Sequence, residues 1–146
     1  MGRRFTHAEA SSYLPEVDRL LRSAIALKSE YDDAEREIQA FQERVIMMGG
    51  LVVDRERALE SRAKRDSMST QLKEAIERVH DIGCVIKDLD IGLVDFPTVF
   101  HGNEVYLCWK LGETAIEYWH GLDEGFRGRK PIDQNFLDHH EGDAAH

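Results

Sequence analysis

The chain has 146 residues, 42% hydrophobic and 32% charged, with a formal net charge of −9. That length suits one domain that buries its core without disulfides, and the composition is that of a folded chain. Residues 84–146 hold 5 basic and 12 acidic side chains, so −7 of the −9 sits there. Such a field repels phosphates and argues against nucleic acid as a partner. No apolar run reaches the length of a membrane span. Two cysteines, Cys84 and Cys108, follow no secretory signal, so free thiols in a cytoplasmic protein are expected.

Thr6-His7-Ala8-Glu9 spells a capping box and starts a helix. Pro15 either opens a second helical segment or kinks the first. Beyond it Val17, Leu21, Ala24, Tyr31, Ala34, Ile38, Phe41, Val45 and Met48 step by threes and fours, a coiled-coil seam rather than a short globular helix. Gly49-Gly50 ends it. A second helix over residues 55–82 places Leu59, Ala63, Leu72, Ile76 and Val79 on one face and closes at Gly83. The two helices form an antiparallel hairpin over residues 6–83 that is also expected to supply a homodimer seam.

From Cys84 the apolar period changes to two, with turns at "DIGL", "FHGNE" and "KLGET", which predicts a four-stranded antiparallel meander over residues 84–120. Residues 121–146 read as a loop that wraps the sheet and ends in a flexible tail. The expectation is a single α+β domain over residues 1–146: a long helical hairpin packed on the meander.

Two-residue turns at Gly102-Asn103 and Gly112-Glu113 would set the strand register. Phe96, Phe100, Val105, Leu107, Trp109, Ile116 and Tyr118 then share the face toward the helices. Asp95 falls opposite Lys110, Cys108 opposite Glu117, and Tyr106 opposite Trp119 on the other face, with Asp88 and Asp90 joining them. Like charges on neighbouring strands repel, so something must offset them. The leading expectation is an acidic binding face centred on Asp88, Asp95, Lys110 and Glu117 and flanked by Tyr106, Cys108 and Trp119, neutralised by Arg127 and Arg129 of the tail or by a basic partner. The alternative is a Mg²⁺ or Ca²⁺ ion held by Asp88, Asp90 and Asp95 in a small hydrolase or transferase.

A Cys108–His120 nucleophile and base pair is disfavoured in this register, because His120 falls on the apolar face opposite Val105; a slip of one residue would reverse that. His139, His140 and His146 could hold zinc or nickel only adventitiously. Ile132, Phe136 and Leu137 are spaced to fold back over Tyr106 and Trp119. No CxxC pair, phosphate-binding glycine loop, HExxH or GxSxG pattern occurs, which lowers the expectation of an enzyme.

"FTHAEASSYLPEVDRLL" near the start and "VIKDLDIGLVDFPTVFHGNEVYLCWKLGETAIEYWHGLDEGFRGRKPI" near the end resemble small bacterial proteins of domain-of-unknown-function family 2203. The resemblance implies a bacterial, cytoplasmic protein and carries no activity, cofactor or catalytic residue. Together these readings point to a non-catalytic binding or scaffold protein working through its acidic sheet face. A hairpin that regulates a protein partner is the further alternative.

Overall fold

The Thr6 hydroxyl accepts from the Glu9 N–H and the Glu9 carboxylate accepts from the Thr6 N–H, each at 3.1 Å, so the capping box forms as spelled. In the computed structural model, which describes residues 2–47 and 55–144, helix α1 runs from this cap as one element, His7–Met47. Pro15 lies inside it and starts no second segment. Proline removes one backbone donor, but the flanking Ala10, Val17, Leu20 and Leu21 are all buried, and that burial holds the helix through the defect. Helix α2 is Arg55–Ile82. It ends where expected, at Gly83, whose φ of +112° favours glycine and where a Cβ would lie 2.9 Å from the Arg3 Cβ. The expected stop at Gly49-Gly50 lies outside the described residues.

The chain forms two compact units, one of residues 1–21 with 76–146 and one of Arg22–Ala75. In the second unit the helices run antiparallel, tied by Arg65–Glu35 at 3.2 Å and Arg57–Glu37 at 3.8 Å. The buried apolar side chains described there are small: Ala24, Ala34 and Ala75 with Ile38. In the first unit Phe5, Val17, Leu21 and Val79 pack with Val94, Phe96, Leu107 and Trp109 of the sheet. Burying large apolar side chains is worth about 1.5–3 kcal/mol each, so this core holds most of the packing energy.

The sheet has six strands, not four. β1 (Val85–Asp88), β2 (Leu93–Phe100), β3 (Asn103–Lys110) and β4 (Tyr118–His120) form the expected meander. β5 (Lys130–Pro131) then pairs with β4, and β6 (His140–Glu141) pairs with β2. The tail is therefore structured where it was expected to fray. Asp133 caps a short helix α3, Gln134–His139, by accepting from the Phe136 N–H at 2.8 Å. Phe136 is buried, stacked on Trp119 and against Phe100; Leu137 is exposed, and Tyr106 packs on His120, so of the expected cover over Tyr106 and Trp119 only the Phe136–Trp119 contact forms. His140 Nε2 accepts from the His7 N–H, Asp143 accepts from the Arg4 N–H, and Gly142 passes so close that a Cβ would meet the Thr6 nitrogen at 2.7 Å.

Candidate functional site

The register decides what meets what. The β2–β3 turn is His101-Gly102, with φ of +51° and +79°, the two positive angles of a type I′ turn, rather than Gly102-Asn103. Phe100 therefore pairs with Asn103 and Asp95 with Cys108, two residues from the expected partners. A shift of two preserves which face each residue is on, so Asp95, Tyr106 and Cys108 do share a face. Lys110 lies opposite Leu93 instead of Asp95, its ammonium 5.5 Å from the Phe126 ring.

The β3–β4 connection departs further. It is a loop of residues 111–117, not a two-residue turn. Glu113 shapes it: its carboxylate accepts from the Lys110 N–H at 2.7 Å and binds one Arg129 nitrogen at 2.6 and 2.9 Å, while its carbonyl accepts from the Trp109 indole at 3.0 Å. The outcome is a slip of one residue, with Tyr106 opposite His120 and Cys108 opposite Tyr118. A slip of one exchanges faces. Trp119 moves to the core side against Phe136, and His120 arrives beside Asp95 and Cys108.

The acids do not gather as expected. Val85, not Ile86, lies opposite Asp95, and a bulge follows between Ile86 and Asp88. The Asp88 carboxylate accepts from the Asp90 N–H at 2.9 Å within the turn, and both residues are exposed. Asp95 is fully buried. Glu117 is exposed in the loop, its carbonyl accepting from Ile132. Arg129 binds Glu113 rather than the sheet acids, and Arg127 is exposed. A hard-cation cage of Asp88, Asp90 and Asp95 is thus not assembled.

What converges instead is Asp95, Cys108 and His120, from β2, β3 and β4. Their carboxylate oxygen, sulfur and imidazole nitrogen lie within 4.8 Å of one another. Exposure is 0% at Asp95 and Cys108 and 4% at His120. His120 Nε2 is 2.9 Å from Asp95 Oδ1, and Nδ1 is 2.9 Å from the Gly121 carbonyl. Asp95 Oδ2 has no hydrogen-bond partner. The Tyr106 ring lies 5.5 Å from that of His120, with the Lys87 ammonium 5.5 Å above Tyr106. Arg129 donates to the Cys108 carbonyl at 3.3 Å and stacks on Tyr118 at 4.1 Å.

Burial pushes the Cys108 thiol up to about 12, and the Asp95 charge adds to that, with Arg129 acting in the opposite direction. Such a thiol is protonated at neutral pH and is no nucleophile. Cys84, hydrogen-bonded to the Val79 carbonyl, is likewise pushed up to about 12 by burial. Sequence reasoning missed Glu113, and it set the Cys108–His120 approach aside as needing the one-residue slip that the sheet in fact has. The signal available was "LGETAIE", whose Gly and Glu suit a closed loop better than strand, but only Arg129 and the Lys110 N–H explain why Glu113 holds it.

No helix is long and apolar enough to cross a membrane among the described residues. No curated protein and no solved structure matches the chain. A family model does, over residues 3–132, and its description is "uncharacterized conserved protein (DUF2203)". With both helices and strands β1 to β5 inside that match, the chain belongs to the DUF2203 family.

Proposed function

We propose that this is a non-catalytic scaffold protein whose helical hairpin pairs side by side with the hairpin of a second copy. The observation that carries the reading is the opposite charge of the two hairpin arms. Residues 30–43 of α1 hold six acidic and one basic side chain, and residues 55–65 of α2 hold five basic and two acidic. Two such hairpins, aligned with their distal ends together, surround a four-helix bundle in which every neighbouring pair of arms is opposite in sign. A cleft of about 640 Å³ between the distal arms supports the same reading. Ile38, Phe41, Val45 and Leu59 line it, Arg44 and Arg62 border it, and Leu59 is 65% exposed. An apolar seam between charged flanks is what a coiled-coil partner covers.

Among the described residues the candidate catalytic groups are otherwise engaged: burial keeps the Cys108 thiol protonated in the absence of a metal, and Asp88 serves its own turn. Sedimentation of the full chain at low micromolar concentration tests the pairing. The expected result is a dimer that Leu59→Asp converts to monomer with unchanged helical circular dichroism. Arg55→Glu with Arg62→Glu, which spares the Arg57 and Arg65 ion pairs, gives both arms the same sign and is expected to raise the dimer Kd at least tenfold. A monomeric wild type, or a dimer indifferent to both variants, overturns the proposal.

A further inference from the structure

We propose that Asp95, Cys108 and His120 bind one late first-row transition-metal dication, with zinc the best match to the donor set. One oxygen, one sulfur and one nitrogen come from three adjacent strands and lie within 4.8 Å of one another. Thiolate and imidazole select zinc-like ions, whereas Mg²⁺ and Ca²⁺ require oxygen ligands. Bonds of roughly 2.0–2.3 Å around a tetrahedral ion place its ligand atoms about 3.3–3.8 Å apart. The donors therefore need to close by at most about 1.5 Å, and the Nε2–Oδ1 pair at 2.9 Å to open slightly, within reach of side-chain rotations.

A second observation concerns what the carboxylate lacks. Asp95 is 0% exposed, its Oδ1 meets His120, no well-formed hydrogen bond reaches its Oδ2, and its other interacting neighbour is the Cys108 thiol. A buried carboxylate oxygen left bare costs more than a hydrogen bond returns. Packing does not require an acid here, since the apolar Val85 lies opposite Asp95 on β1. A cation seated beside Oδ2 removes that cost.

The histidine is held in the orientation a ligand needs. Its Nδ1–H donates to the Gly121 carbonyl at 2.9 Å, which turns Nε2 toward Asp95 and Cys108. Metal-ligating histidines are oriented by such an outer hydrogen bond to backbone or carboxylate. Without the ion, Nε2 and Asp95 Oδ1 are hydrogen-bonded at 2.9 Å, so one proton lies between them. When the dication enters, the proton shared by Nε2 and Asp95 Oδ1 and the Cys108 thiol proton leave to solvent, and lone pairs of nitrogen, sulfur and a carboxylate oxygen form the new bonds. Two protons exchange for one dication, and the summed charge of the centre does not change. That matters in a site from which water is nearly excluded.

The test uses the full chain, stripped with a chelator and titrated with Co²⁺ as a spectroscopic probe for Zn²⁺. The expected result is one equivalent bound, with a thiolate-to-cobalt charge-transfer band and the visible bands of a tetrahedral ion, both erased by added Zn²⁺. Cys108→Ser is expected to abolish the charge-transfer band and weaken binding at least tenfold. His139→Ala with His146→Ala is expected to leave both unchanged. X-ray absorption of the zinc-loaded wild type, which needs no variant to fold, is expected to show one sulfur neighbour. No uptake, a shell of nitrogen and oxygen alone, or uptake lost with the tail histidines each overturns the proposal.

Discussion

Cys108 and Cys84 show how burial alone sets a side chain's chemistry. Both thiols are pushed from 9.0 up to about 12, chiefly by loss of solvent. A folded-state value raised above the unfolded one means stability is intact below pH 9 and is lost as pH rises toward 12, because the unfolded chain releases protons that the folded chain retains. The slope is about 1.4 kcal/mol per pH unit for each thiol. Thermal melting of the metal-free protein is therefore expected to fall steeply across that window, and Cys84→Ala to flatten the fall. At neutral pH a small alkylating reagent is expected to leave both thiols unmodified until denaturant is added. Free, buried thiols were legible in the sequence, but the Asp95 neighbour of Cys108 rests on strand pairing.

At the scale of elements, the β3–β4 loop does more than connect. Glu113 satisfies the Lys110 N–H, receives the Trp109 indole on its carbonyl, and binds the mostly buried Arg129. Removing it leaves a mostly buried guanidinium without its carboxylate, holding only the Cys108 carbonyl and the Tyr118 ring, a loss of about 2–4 kcal/mol. Glu113→Ala is expected to lower the midpoint of urea unfolding by that amount, with Glu113→Gln recovering part of it. Amide exchange should quicken first in residues 111–120, since the loop sets the slip that brings His120 to Cys108. Turn glycines were readable because positive φ demands them, and Gly83, Gly92, Gly102 and Gly112 all sit at positive φ. Loop length was not readable from them: a glycine at a turn reports local backbone geometry, while the number of residues bridging two strands depends on contacts such as Glu113–Arg129.

For the molecule as a whole, the two units differ in what they bury. The unit of residues 1–21 and 76–146 encloses Phe5, Phe96, Trp109 and Phe136, whereas Arg22–Ala75 buries mainly alanines and Ile38 among its described residues. Small side chains remove little apolar area from water. Hydrogen exchange in residues 22–47 and 55–75 is thus expected to be faster than in the sheet at low protein concentration and to slow as concentration rises. A rate independent of concentration would separate hairpin stability from self-association.

Periodicity by itself determined the two long helices, the meander after Cys84, the capping box at Thr6 and the helix stop at Gly83, because each depends on residues close together in the chain. The inward face of β2 and β3 was also determined, since a pairing error of two residues keeps every side chain on its side. Only the tertiary structure decided that Asp95, Cys108 and His120 meet, that Trp119 turns to the core, and that the tail supplies β5, α3 and β6. Those outcomes hang on a one-residue slip and on contacts between segments far apart in sequence. No local pattern encodes a parity that Glu113 and Arg129 set from 16 residues apart.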